Sequence, residues 1–251
     1  MEFYFLVAAF FLIALIYSSV GFGGGSSYLA LLALPFFAIA FPVIRSTALF
    51  CNIVVVTGGL IIFYNEGKLS FKDAWPYLSA SIPMAYLGGF WKIEEHTFFI
   101  LLGVTLVIVP FLLWFQSEKK QTQEGSAVKE STTLKVILGG CIGLLSGLVG
   151  IGGGIFLSPV LHMLRWSEPR RISALASLFI MVNSIGGLAG QFNRGVPELS
   201  WQFLVPLLLA VLVGGQIGSR LGVRKFDPVY IRRITAVLIL VAGINILKDH
   251  L

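Results

Sequence analysis

The sequence is short of charge, of histidine and of cysteine, and each shortage removes a class of protein from consideration. Of 251 residues, 57% are hydrophobic and 12% are charged, where a soluble domain has about 25% charged. Too little polar surface is left to clothe a water-facing globule. The deficit is also uneven, since no ionised side chain occurs in residues 3–44, 46–65, 74–91, 97–117, 136–164, 172–193, 199–219 or 234–247. A bilayer core of about 30 Å takes about 20 apolar residues per helix, so most of these runs fit one crossing. Runs 3–44 and 136–164 are too long for one crossing and both are cut by glycines. The pattern predicts an all-α integral membrane protein of about 8–10 helical segments.

Because no Asp or Glu lies inside any of these runs, carboxylate proton relays and carboxylate-bound sodium have no support, although backbone carbonyls remain possible cation ligands. The three histidines, His96, His162 and His250, are far apart, and no His-x-x-x-His or Cys-x-x-Cys spacing occurs. Nothing calls for a metal, a cofactor or a nucleophile paired with a base, which argues against an intramembrane enzyme. His162, deep in its run, either relays a proton or sits as a hydrogen-bonded interior residue. Cys51 and Cys141 lie in apolar runs and read as small buried residues. The net charge of +6 sits in short loops between apolar spans, so membrane topology explains it and nucleic acid is not implied. The N-terminal residues Glu2-Phe3-Tyr4-Phe5 have no basic flank, which predicts a first membrane segment instead of a removable signal peptide.

What is abundant is glycine, and it repeats. Val20-Gly21-Phe22-Gly23-Gly24-Gly25 matches Val149-Gly150-Ile151-Gly152-Gly153-Gly154, about 130 positions apart. Asn52 with Asn183, Asn65 with Asn193, Leu69-Ser70 with Leu199-Ser200, and Pro76 with Pro206 keep nearly the same offset. The series divides the chain into a first membrane repeat (residues 1–115), a polar linker (116–133) and a second repeat (134–251). If the two pieces flanking each glycine break both cross the membrane, or form a re-entrant hairpin, one side holds all 18 basic residues except Arg45, Lys92, Arg194 and Lys248. The positive-inside rule then places the linker in the cytoplasm and both termini outside, with the halves inverted relative to each other.

Consecutive glycines unwind or turn a helix cheaply. In hydrocarbon the freed backbone groups would each cost several kcal/mol, so such breaks persist only where protein or a wet cavity satisfies them. Each break is followed by a helix restart, near Ser26 and near Ile155, whose first amides and positive dipole end suit an anion. Ser18, Ser19, Ser26 and Ser27 surround the first break with hydroxyls, and Ser146 and Ser158 flank the second. Close helix packing is the competing explanation of small residues in a membrane. The next polar cluster comprises Arg45, Thr47 and Asn52 in the first half and Ser177 and Asn183 in the second. The amides either orient a substrate or pin neighbouring helices. Arg45 either draws an anion to the outer mouth or snorkels to the headgroups.

Residues 20–27 with the apolar helix after them, residues 147–154 followed by Pro159, and residues 214–220 (Gly-Gly-Gln-Ile-Gly-Ser-Arg) together resemble the sulfite exporter TauE/SafE family of membrane permeases. The resemblance spans nearly the whole chain. It implies transport of sulfite, sulfoacetate or another organosulfur oxyanion across the cell membrane. The expected substrate-binding set is Ser18, Ser19, Gly23, Gly24, Gly25, Ser26, Ser27, Arg45, Thr47, Asn52, Gly152, Gly153, Gly154, Ser177 and Asn183. An anion channel is the alternative within transport, and a scaffold the alternative outside it.

Overall fold

The computed structural model describes residues 2–19, 21–37, 39–114, 131–164, 166–195, 199–222 and 228–250. The predicted linker falls almost entirely outside them, as does Arg165. Among the described residues the chain is all-helical and has no strand: α1 (Glu2–Ser19), α2 (Gly25–Leu32), a 3-10 turn (Pro35–Phe37), α3 (Phe41–Asn65), α4 (Phe71–Phe90), α5 (Glu95–Trp114), α6 (Thr132–Val149), α7 (Gly154–Met163), α8 (Pro169–Arg194), α9 (Trp201–Gly222) and α10 (Pro228–His250). Six of these, α1, α3, α5, α6, α8 and α9, are long and apolar enough to cross a membrane. The protein is a multi-pass membrane protein.

Local chemistry sets the helix ends. Pro42 and Pro169 occupy the first turns of α3 and α8, where a missing N–H costs nothing. Ser70 Oγ accepts from Asp73 N–H at 3.4 Å and Ser131 Oγ from Leu134 N–H at 3.2 Å, capping α4 and α6. The short helices α2 and α7, with 8 and 10 residues, reach about 12 and 15 Å, roughly half the apolar core.

Helix pairing keeps its pattern when α1–α5 are exchanged with α6–α10. α1 packs on α9 as α6 packs on α4, α4 on α8 as α9 on α3, α2 on α3 as α7 on α8, and α2 on α10 as α7 on α5. The pairs that map onto themselves are α3 with α8 and α5 with α10. In the second of these, Phe99 stacks on His250, Gly103 faces Leu247, and Leu106 faces Gly243, so the two helices run antiparallel. The α3–α8 pair is antiparallel too: Ser46 Oγ donates to Gln191 Oε1 at 2.7 Å, while Lys68 beyond the far end of α3 meets Glu168 just before α8.

Backbone-to-backbone contact holds the parallel pairs. Gly139, Gly143 and Gly147 form a bare stripe on α6 against Tyr77, Ser81 and Ala85 of α4, the close approach that small residues permit in membranes. Gly214 and Gly218 of α9 lie in the same way against Phe11 and Leu15 of α1. Cys51 is buried as expected, but Cys141 is exposed on α6, because positions 139, 143 and 147 take the packed face and 141 falls on the opposite side.

At the α3–α8 end where the α3–α4 and α7–α8 loops meet, two ion pairs tie the halves together, Lys68–Glu168 at 2.7 Å and Arg170–Glu66 at 2.9 Å, while Arg171–Glu168 at 3.7 Å is local to the start of α8. The hydrogen bond from Lys68, aided by the nearby arginines, holds the Glu168 carboxyl below its ordinary value. A lowered carboxylate pKa gives stabilisation that is present above the ordinary value and lost as pH falls through the lowered one. Each half-exposed pair contributes up to about 1 kcal/mol. Melting temperature in detergent is therefore expected to fall as pH drops from 6 to 3.5, and Glu168→Gln to flatten that dependence. An unchanged slope in the variant would remove Glu168 from the account.

Candidate functional site

Both glycine runs interrupt their helices. At the first, Gly21 and Gly24 have φ of 82° and 81°, and α2 restarts at Gly25. At the second, Gly150, Gly152 and Gly153 have φ of 87°, 85° and 82°, and α7 restarts at Gly154. These are left-handed conformations that glycine adopts without penalty. Each restart comes one residue before the position expected from the sequence. In α2 the first intrahelical bonds run from Ser27 and Tyr28 N–H to Gly24 O at 3.0 Å, and in α7 from Phe156 and Leu157 N–H to Gly153 O at 3.1 Å. The amides of Gly25, Ser26, Gly154 and Ile155 precede those bonds and belong to the orphan donors of a helix start.

The two breaks meet, and α3 and α8 clamp them. Asn52 of α3 donates from Nδ2 to Ile151 O of the second break at 2.9 Å, while its amide lies against Gly23 and Gly25 of the first. Ile180 of α8 packs against Gly23, Gly152 and Gly154. Ser177, one turn away on the same face, donates to Gly21 O at 2.8 Å. Between them is a cavity of about 10 Å³ lined by Tyr17, Gly23 to Ser26, Ile151 and Ile180, among others. That is the space of one ordered water.

The expected residues divide into three groups. Gly23, Gly24, Gly25 and Ser26 line the cavity, with Gly152, Asn52 and Ser177 immediately around it. Ser184, absent from the expected set, joins them beside Gly152. Its neighbour Asn183 is fully buried, and neither of its amide atoms has a partner among the described residues. The hydroxyls of Ser26, Ser146 and Ser184 and the Oδ1 of Asn52 are likewise buried and unpartnered.

A second group is not part of the cavity lining. Ser18 bonds weakly to Leu15 O and lies against Gly218 of α9, Ser19 bonds to Ile16 O at 2.6 Å, and the Ser27 hydroxyl pairs with Tyr17 OH at 2.6 Å. Gly153 is packed against Phe179 and Ser146, and Gly154 against Ile180. Thr47 is buried with its hydroxyl unpartnered among the described residues.

Arg45 stands alone as the third. It is 2% exposed, neither open at a mouth nor snorkelled. Its Nη2 donates to Gly147 O at 2.7 Å and to Gly88 O at 3.4 Å, and its guanidinium lies over Phe41 and Phe98 at 5.7 and 5.9 Å. Both carbonyls belong to last turns, of α6 and α4, where orphan acceptors and negative dipole ends favour a cation. The side chain closes two helix ends and anchors them to α3.

Lipid-length helices around two interrupted ones, whose restarts meet over buried unpartnered polar groups, define a multi-pass membrane transporter. The chain belongs to the sulfite exporter TauE/SafE family, whose profile matches residues 6–246. It is 32% identical to the probable membrane transporter protein y4hK of Sinorhizobium fredii, over 96% of this chain and 97% of that one. It is also 24% identical to the probable membrane transporter protein YdhB of Bacillus subtilis, over 86% and 88%. A probable membrane transporter of Methanocaldococcus jannaschii is 23% identical over 96% and 94%. No solved structure matches the chain. Membership in a transporter family sets aside the enzyme reading.

Proposed function

We propose that the protein is a secondary transporter of small oxyanions, such as sulfite, sulfoacetate or another organosulfur anion, working by alternating access between two inverted repeats. One observation carries this reading: Gly25 and Ser26 at the start of α2, Ile151 of the second break and Ile155 of α7 line one small cavity, so orphan amides of both halves lie beside the same point. The symmetry supports the inversion. A two-fold axis along the membrane normal would make self-mapping helix pairs parallel, whereas α3–α8 and α5–α10 are antiparallel, as an axis in the membrane plane requires. With the basic loops inside, the linker is cytoplasmic, both termini are outside, and the ion pairs around Glu168 close the cytoplasmic end.

The cavity, at about 10 Å³, is too small for an oxyanion with its several heavy atoms. Substrate entry therefore needs the halves to move, which favours a gated carrier over a standing channel. The test is uptake of sulfite and of sulfoacetate into proteoliposomes by wild type, Gly24→Ala and Gly153→Ala. Holding the left-handed conformation costs a non-glycine residue about 1–2 kcal/mol, and a methyl at Gly153 would also lie 2.8 Å from Phe179. Both variants are expected to lose most of the saturable flux while eluting as the same folded species. Full flux from both would sink the site.

A further inference from the structure

The reading above supplies hydrogen-bond donors for an anion, yet the cavity is flanked by a fixed acceptor that a bare oxyanion cannot satisfy. Asn52 is completely buried on α3. Its Nδ2 donates to Ile151 O at 2.9 Å. A backbone carbonyl only accepts, so the amide cannot be turned round without losing that bond. Oδ1 is thereby presented to the first break, where a methyl built on Gly23 would lie 2.5 Å from it, and it has no donor among the described residues. A buried acceptor left empty costs about 1–3 kcal/mol. Ser26, 1% exposed and lining the cavity, also has an unpartnered hydroxyl. It can donate to an anion. Asn52 Oδ1 can only accept.

Two orphan amides, a hydroxyl and, against the glycines that line the cavity, a lone carbonyl oxygen describe a ligand with two kinds of group. We propose that the transported species is a monoanion carrying its own O–H or N–H beside the negative group, and that Asn52 Oδ1 reads that hydrogen. A fully deprotonated oxyanion would set lone pairs against Oδ1, and an alkyl sulfonate would leave Oδ1 empty. Both are discriminated against, because a site built to hydrogen-bond a substrate group loses that bond when the group is absent. Asn52 is then the residue that sets specificity within the anion class. This inference rests on the proposed site between the breaks and narrows what that site prefers: hydrogensulfite over sulfite, and a hydroxylated sulfonate over sulfoacetate, whose ionised form brings no donor.

The experiment compares two sulfonates of equal charge and nearly equal size, 2-hydroxyethanesulfonate and propane-1-sulfonate, as ligands of purified full-length protein in detergent micelles. Binding is read by thermal-shift titration and by competition against sulfite uptake in proteoliposomes. Wild type is expected to bind the hydroxylated compound about tenfold more tightly, the equivalent of roughly one hydrogen bond. In Asn52→Leu, and in the smaller Asn52→Ala, the ratio is expected to fall to near unity. Equal binding of the two sulfonates by wild type would overturn the donor requirement and leave the oxyanion site standing, with water serving Oδ1. A preference that survives unchanged in both variants would overturn the assignment to Asn52. Failure of wild type to bind either sulfonate or sulfite would overturn the site itself. The wild-type ratio needs no variant to fold.

Discussion

Arg45→Met is expected to lower the melting temperature of the detergent-solubilised protein more than any other single change of a polar residue. Methionine fills much the same volume but leaves the carbonyls of Gly147 and Gly88 without their charged donor. Hydrogen bonds to a charged group contribute about 1.5–3 kcal/mol each, and the 3.4 Å contact to Gly88 is the weaker one. A total near 3 kcal/mol corresponds to roughly 6–12 °C for a chain of this size. Arg45→Lys keeps the charge but loses the planar fork, and should fall between the two. A methionine variant that melts like wild type but no longer transports would instead make Arg45 a ligand of the anion.

The second large effect concerns neighbouring glycines of α6 whose alanine variants should move in opposite directions. A methyl on Gly139 would land on the Tyr77 carbonyl of α4, while one on Gly140 would meet Ala80 at 3.4 Å, an ordinary contact. Gly139→Ala forces α4 and α6 apart along their length, and overpacking of this kind costs about 1–3 kcal/mol. Gly140→Ala gains helix propensity of up to about 1 kcal/mol with nothing to displace. Thermal melts of the two proteins should therefore straddle that of wild type. If both fall or both rise, the α4–α6 register is wrong.

Much of the architecture was legible because hydrocarbon imposes simple rules. Runs without charge became helices, and the glycine clusters became breaks, restarting at Gly25 and Gly154 where Ser26 and Ile155 were expected. The meeting of the two breaks was not legible, nor were the contacts of the candidate residues. Ser18 and Ser19 are adjacent in sequence, yet a helix turns successive side chains by about 100°, and both ended bonded to their own helix. Arg45 looked like a lone cation because its acceptors lie 43 and 102 residues away. Asn52 and Asn183 occupy matched places in the repeat, but only Asn52 reaches the opposite break. The two halves share a pattern of helix pairing but differ in this contact. Ser184 carried one signal that went unused, its place directly after an intramembrane amide. Gln191 carried another, as an uncharged polar residue inside a span that bonds Ser46.

The two ends of the α3–α8 pair are fastened by different chemistry. One end uses Lys68, Glu168, Arg170 and Glu66. The other uses a neutral contact, Ser46 on Gln191, beside which Asn193 of α8 donates to the Tyr86 hydroxyl of α4. Mobile ions weaken attraction between exposed charges, over a Debye length of about 8 Å at physiological strength, but hardly touch a bond between an amide and a phenol. On the proposed alternating-access reading, electrolyte concentration in one compartment acts as a lever on only one of the two doors, and the cycle takes a different bias in dilute and in concentrated surroundings.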